Sequence, residues 1–264
     1  MTAYNGITGK RVLVTAGGSG IGRAIAQHFL DRGAEVMICD VDEQAISSVS
    51  SSAPAIRTVV TDVSCEDGVN ELFKSLKSSL GGIDVLVNNA GVSGPMTYLE
   101  NMSLTDWRRC VEVNLDGSFL CLRHALPMMK AQNSGCVINL SSSAGILGYP
   151  LRTPYASAKW AIVGLTKSLA MEVGKFGIRV NAIAPGAVEG DRMERVIAAE
   201  ATAHGKTEDY IRENYLSMNS MRTFVSCDDI ADMAIFLASD AAAKISGQIL
   251  SVDGHTETLA VPGA

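Results

Sequence analysis

Three residue types in one short stretch of this chain are suited to moving a proton: Tyr155, Lys159 and the run Ser141-Ser142-Ser143. Tyr155 and Lys159 stand four apart, so on a helix they share one face. A free tyrosine loses its proton at about pH 10, too high for a base at neutral pH. An ammonium held close favours the phenolate and brings that value down. A serine hydroxyl at the end of a neighbouring strand can hold a substrate oxygen against the phenol. The pair alone is weak, because an ordinary helix surface with one aromatic and one solvated lysine meets the same spacing. It gains weight only if residues elsewhere can hold a cofactor.

The elements that must position these residues are legible around them. Cys136-Val-Ile-Asn-Leu140 reads as a buried strand that breaks into the three serines and Gly145. A loop with Gly and Pro follows, and a helix takes up Tyr155 and runs to near Gly177. Near the start, Arg11-Val-Leu-Val-Thr15 is a strand, 16–22 a glycine-rich turn, and a helix with apolar Ile21, Ile25 and Phe29 stops at Gly33. The strand Glu35-Val-Met-Ile-Cys39 ends in Asp40. Further strands are expected at 55–61, 84–87, 178–183 and 248–252, and helices at 66–80, 103–130 and 228–237. Strands alternating with helices predict an α/β chain with a doubly wound, mostly parallel seven-stranded sheet of the Rossmann type, in one domain over 1–264. The irregular, partly helical stretch 189–225 is long for a plain connection and reads as a substrate lid.

Composition narrows the partners. A chain of 264 residues suits one large α/β domain. With 47% hydrophobic residues it can bury strands on both faces. A formal charge of −6 argues against nucleic acid or an anionic membrane as partner. No apolar run has the length of a membrane span, and the N-terminal stretch lacks the charged-then-apolar layout of a secretory signal. Six scattered cysteines without paired spacing read as free thiols in a reducing compartment. Four isolated histidines show no metal spacing. The expectation is a cytoplasmic, metal-free protein.

The second group of residues lies at the first strand–helix junction. Glycines there let the backbone approach a pyrophosphate, and the helix N-terminus adds free N–H groups and a positive dipole end. Gly20 and Gly22 belong to a G-x-x-x-G-x-G variant whose first position is Ala16, so the turn must keep a conformation that a β-carbon tolerates. Asp40 lies twenty residues past Gly20 at a strand end, where a carboxylate takes the ribose hydroxyls of an adenosine. It would repel the extra phosphate of NADP; Val41 follows it and Ser19 precedes Gly20, with no basic residue at either place. The cofactor expected is NAD.

Taken together, Thr15-Ala-Gly-Gly-Ser-Gly-Ile-Gly22, Asp62-Val63, Asn88-Asn-Ala-Gly91, Asn114, Ser142, Tyr155-x-x-x-Lys159, Asn181 and Pro185-Gly186 resemble the short-chain dehydrogenase/reductase family in its simple single-domain form. The likeness spans the chain from Gly9 to Gly254. It implies an NAD-dependent enzyme that interconverts a secondary alcohol and a ketone or aldehyde. Tyr155 is then the acid/base, Lys159 lowers its pKa and binds the nicotinamide ribose, Ser142 holds the substrate oxygen, and Asn114 holds a water that relays protons from Lys159. Ser142 is chosen because the family's serine is followed by two residues and a Gly, here Gly145. The implied cofactor contacts are Gly17, Ser19, Gly20 and Ile21 at the turn, Asp40 on the ribose, Asp62 and Val63 at the adenine, Asn89, Ala90 and Gly91 on the adenosine side, and Pro185, Gly186 and Val188 at the nicotinamide. Gly190 stands where many relatives carry a threonine that touches the nicotinamide amide, so that contact is missing or supplied differently.

Arg152, three residues before Tyr155, and Arg192, at the start of the lid, suggest a small anionic hydroxy compound, since a guanidinium fork suits a carboxylate, sulfonate or phosphate. Solvated arginines on a loop and a helix are the simpler reading. By analogy with the family the chain is a homotetramer, or a homodimer, paired through its two long helices. The rival reading is a dinucleotide-sensing protein of the same fold that has lost its chemistry. A hydrolase is disfavoured by the lack of a Gly-x-Ser-x-Gly turn with a His partner.

Overall fold

Alternation along each strand decides the layering. In β1 (Arg11–Thr15), Val12 and Val14 point to one face of the sheet and Leu13 to the other. In β2 (Glu35–Asp40), Val36 and Ile38 join the first face and Met37 and Cys39 the second. Strands buried on both faces need helices on both, and the chain supplies them. The first face is covered by α1 (Gly20–Asp31), α2 (Glu43–Ser52) and α9 (Cys227–Ala238), through residues such as Phe29, Ile46 and Ile235. The second is covered by α3 (Glu66–Leu80), α5 (Gly117–Gln132) and α6 (Thr153–Val173), through Leu72, Met129 and Leu169.

The computed structural model describes residues 4–259. The first residues of the N-terminal stretch and the last of the single-domain range read above lie outside them. The sheet is completed by β3 (Arg57–Val60), β4 (Val85–Asn88), β5 (Gly135–Leu140), β6 (Ile178–Pro185) and β7 (Ile249–Val252). Its order is β3-β2-β1-β4-β5-β6-β7, and every pairing is parallel. The order reverses between β1 and β4. The loops leaving those two strands diverge and open a crevice at their carboxyl ends, where such sheets take ligands. Among the described residues no helix is long and apolar enough to cross a membrane.

Three segments differ from the sequence expectation in informative ways. Helix α2 was not anticipated, because four of its last five residues are serines and only Ile46 and Val49 are buried. Asp42 starts it by accepting from the N–H groups of Gln44 and Ala45, and Ser50, Ser51 and Ser52 bond back to carbonyls four residues earlier. The expected helix over 103–130 is α4 (Leu104–Val111) and α5 joined by a π turn, Glu112–Asp116, the kind of local widening often found at functional sites. The irregular stretch 189–225 contains two regular helices, α7 (Asp191–His204) and α8 (Glu208–Ser217), packed on each other through a small core of Met193, Ile197, Ala201, Ile211, Tyr215 and Met218. Its two ends meet: Val188 bridges Val225, the Val225 N–H donates to Ala187 O at 3.0 Å, and the Glu189 N–H donates to Val225 O at 2.9 Å.

The glycine-rich turn carries a strained alanine. Ala16 has φ +50°, in the left-handed region, so the conformation kept is the one a glycine would hold at less cost. The turn cannot relax easily, because Gly22 passes so near that a β-carbon on it would lie 2.1 Å from Ala16 O. A left-handed alanine costs about 1–2 kcal/mol, partly offset in a glycine by its greater backbone entropy. Ala16→Gly is therefore expected to raise the unfolding free energy by about 0.5–1 kcal/mol, read from urea denaturation; a less stable variant would mean that the alanine methyl packs to greater effect than the strain it causes.

Candidate active site

The carboxyl ends of the central strands border a cavity of about 180 Å³, and Ser142, Tyr155, Lys159, Asn89, Gly91, Pro185 and Arg152 all line it. The structure thus brings together residues from the ends of β4, β5 and β6 and the first turns of α6.

Strand β5 delivers the three serines, and their hydrogen bonds tell them apart. Ser141 Oγ donates to Lys159 O at 3.0 Å, and Ser143 Oγ donates to Pro185 O at 3.1 Å. Both are buried and spend their protons on the scaffold. Ser142 Oγ accepts from the Ala144 N–H at 3.1 Å, which leaves its own proton uncommitted on the cavity wall. Sequence spacing had selected Ser142; the bonding supplies the physical reason.

Helix α6 places Tyr155 and Lys159 one turn apart. The Lys159 ammonium lies 5.7 Å from the centroid of the Tyr155 ring and donates to Leu140 O at 2.8 Å. No carboxylate pairs with it among the described residues. Burial, reinforced by the charge of Arg192, lowers its pKa to about 7. Beside it, the π turn presents Asn114, whose Nδ2 donates at 2.8 Å to both Val92 O and Cys110 O. That fixes the amide and leaves Oδ1 buried without a partner. A β-carbon at Gly91 would sit 2.6 Å from Asn114 Oδ1 and 3.3 Å from Lys159 Nζ, so glycine there keeps a gap between them. A polar gap of this kind suits a water molecule.

The turn after β1 fits a dinucleotide. Ser19 caps α1 without a side-chain hydrogen bond, and no acidic residue occupies the first turn, so the helix N–H groups and dipole face an open approach. Asp40 uses one oxygen to accept from the Gly18 N–H at 2.9 Å and the other from the Asp42 N–H at 3.1 Å. Each oxygen keeps a lone pair for a further donor. Asn89 ties the turn to β4, donating from Nδ2 to Thr15 O and Ala16 O at 2.9 and 3.1 Å. Thr15, not singled out in the sequence, accepts from the N–H groups of Asn89 and Ala90 and so locks the two sides of the crevice. Asp62 accepts from Ser64 and Arg109. Burial pushes its carboxyl up, but those hydrogen bonds outweigh it and the net direction is down. Val63 is buried against Gly117. Gly17 and Ala90 lie on the two loops, Gly20 opens α1, and Ile21, Gly186 and Val188 join the cavity wall.

The two arginines behave differently from one another. Arg152 is 7% exposed, with Nη1 donating to Gly94 O at 2.6 Å and no acidic partner among the described residues. Arg192 lines the same cavity but is exposed, while Arg195 does not reach it. Three further residues lie in stretches the sequence reading expected near the pocket, 146–152 and 189–225, but were not named individually: Tyr149 and Tyr215, which line the cavity, and Glu200 behind Tyr215. Nothing in their spacing marks them, because two lie in the 189–225 excursion and meet the third only in the fold.

Comparisons with known proteins identify the family. The family model described as enoyl-(acyl carrier protein) reductase matches residues 15–255. The chain is 37% identical to the cis-4-hydroxycyclohexanecarboxylate dehydrogenase of Sinomonas cyclohexanicum, over 92% of this chain and 94% of that protein. It is 34% identical to the 2,5-dichloro-2,5-cyclohexadiene-1,4-diol dehydrogenase of Sphingobium indicum, over 94% and 97%. The crystal structure of NAD+-bound xylitol dehydrogenase superimposes with a TM-score of 0.90 at 29% identity, covering 94% of this chain and 99% of that one. With the serine, tyrosine, lysine and asparagine gathered at the carboxyl ends of a seven-stranded parallel sheet, and with likeness along nearly its whole length, the chain belongs to the short-chain dehydrogenase/reductase family.

Proposed function

We propose that this chain is an NAD-dependent oxidoreductase that interconverts a secondary alcohol and its ketone, with Tyr155 as acid/base, and that its substrate is a small anion. The reading is carried by one observation: Ser142 with a free hydroxyl proton, Tyr155 and a buried Lys159 ammonium meet in one cavity beside an uncapped helix N-terminus. The dehydrogenases named above, and the NAD+ held by one of the solved structures, support it.

When bound, NAD supplies the hydride acceptor. Gly17, Ser19, Gly20 and Ile21 hold its pyrophosphate at the start of α1, and Asp40 takes the adenosine ribose and disfavours NADP. Asp62 and Val63 flank the adenine, Asn89, Ala90 and Gly91 the adenosine side, and Pro185, Gly186 and Val188 the nicotinamide. Ser142 donates to the substrate oxygen and orients it, and Tyr155 as phenolate takes the hydroxyl proton. Lys159 keeps a positive charge beside that ring and binds the nicotinamide ribose. Asn114 Oδ1, otherwise without a partner, holds a water that carries protons away from Lys159. Reduction follows the same path in reverse.

The anion is supported by charge. Among the described residues, Arg152, Lys159 and Arg192 line the cavity and no Asp or Glu does. A guanidinium as buried as that of Arg152, without a carboxylate, is costly unless a ligand completes it. One relative is named for a hydroxy acid. Helices α7 and α8 serve as the lid. Phe119 and Trp160, about half exposed on α5 and α6, support pairing of copies through these helices into a homotetramer or homodimer. A cytoplasmic location accords with six free thiols.

Tyr155→Phe is expected to bind NADH normally and to turn over at least about a hundredfold slower, measured by NADH absorbance on a panel of secondary alcohols and hydroxy acids. Near-normal turnover would remove Tyr155 from the chemistry, and no NADH from any alcohol in the wild type would favour the silent, sensing alternative. Arg152→Ala should raise the KM of acidic substrates about tenfold or more and leave neutral ones less affected; an unchanged KM for every active acid would exclude the anion site.

Lys159 gives a pH signature. Its folded pKa is lowered from 10.5 to about 7, so the unfolded chain holds the extra proton between those values and stability from this group rises with pH across that window. Lys159→Met should therefore exceed the wild type in melting temperature most at or below pH 7, with the gap shrinking toward pH 10, in thermal melts of the free protein. A gap independent of pH would show that the ammonium is not penalised by burial.

A further inference from the structure

The cavity wall contains a hydrogen-bonded chain that the mechanism above does not use. Glu200, on α7, is 4% exposed and pairs with no cation among the described residues. Its Oε1 accepts from Tyr215 Oη at 2.7 Å, and its Oε2 has no partner. The Tyr215 hydroxyl in turn lies 3.3 Å from that of Tyr149. Tyr215 stands on α8 and Tyr149 on the loop before α6, and both line the cavity that holds Ser142 and Tyr155.

The carboxylate sets the direction of the chain. A carboxylate only accepts, and a phenol has one proton to give. Tyr215 gives its proton to Glu200, so its oxygen can only accept from Tyr149. Tyr149 gives its proton to Tyr215, and what it shows the cavity is lone pairs alone. Burial raises both phenols above their ordinary range, so neither loses the proton that orders the chain. The wall therefore offers a fixed acceptor distinct from the proton-transfer group, and a buried polar group that goes unmatched costs binding.

We propose that Tyr149, oriented through Tyr215 by Glu200, is a specificity-determining acceptor for a second hydroxyl on the substrate, so that among otherwise matched alcohols those are preferred whose second O–H reaches Tyr149 while the first is held by Ser142 and Tyr155. This rests on the oxidoreductase reading above and deepens it. It also gives the lid a part in recognition, since the acceptor on the fixed wall is ordered by residues of α7 and α8.

The test compares matched alcohols in NADH formation: cyclohexanol against the cyclohexane-1,2-, 1,3- and 1,4-diols, and butan-2-ol against butane-2,3-diol. In the wild type the best diol should exceed its matched mono-alcohol in kcat/KM by about tenfold or more. In Tyr149→Phe that ratio should fall to within about threefold of one, with the loss carried by the KM of the diol. Tyr215→Phe, which keeps the ring in the lid core, should reduce the ratio as well, and thermal melts of both variants establish that they are folded. A ratio unchanged in Tyr149→Phe, or equal losses for diol and mono-alcohol, would overturn the proposal and leave the tyrosines a structural role. Mono-alcohols and diols oxidised equally well by the wild type would overturn it while the oxidoreductase reading stands; no NADH from any of them would overturn it too, and no NADH from the hydroxy acids either would bring down both.

Discussion

A single ammonium, buried at the end of β5 without a carboxylate beside it, sets the terms for the rest of the site. Removing a cation from water is expensive, and the fold meets that cost with a backbone carbonyl, a neighbouring aromatic ring and a polar gap, where a salt bridge would have been the obvious answer. A carboxylate partner would satisfy Lys159 permanently. On the proposed reading, leaving the charge only partly compensated keeps it available for a phenolate and for the hydroxyls of a bound ribose. The same demand explains local features that otherwise look arbitrary: the π turn that turns Asn114 inward, the missing side chain at Gly91, and a Ser141 whose proton is spent on the backbone of Lys159 itself.

The site is divided between a rigid part and a separately cored part. Ser142, Tyr155 and Lys159 hang from a strand and a helix embedded in the two main apolar layers, while Met193, Tyr215 and Met218 reach the cavity from a small cluster of their own. Proton transfer tolerates little misplacement, so it is built on elements whose packing leaves little freedom. On the proposed reading, substrate choice, which varies more readily, falls to helices that touch the sheet at few points.

The main features of the fold were legible because each rests on short-range chemistry. The strand before the glycine turn, the helix Glu66–Leu80 and Asp40 at a strand end follow from periodicity and spacing alone. Helix α2 was hidden because serines in its second half compete for their own backbone and dilute the apolar period. The left-handed Ala16 was hidden because only the close pass of Gly22 makes the turn unavoidable. Of the site, Tyr155 and Lys159 are one helical turn apart and could be paired from the sequence. Tyr149 and Tyr215 are 66 residues apart, and the hydroxyl contact between them exists only once the excursion has folded back over the cavity. The burial of Arg152 was likewise invisible, since a solvated loop arginine and a desolvated one are spelled alike.

The junction at Val188 and Val225 has a consequence for how this enzyme can change. The excursion leaves and rejoins the body at this paired point and is tied to it once more where Asn219 bridges Thr256, so helices α7 and α8 form a closed appendix ahead of that second tie, and lengthening or rewriting them adds only a slowly growing loop-closure cost. Insertions, exchanged segments and altered helix lengths can accumulate there while the sheet and the residues gathered at its carboxyl ends stay as they are. New chemistry of recognition can thus be sampled on a scaffold whose catalytic half never has to be refolded.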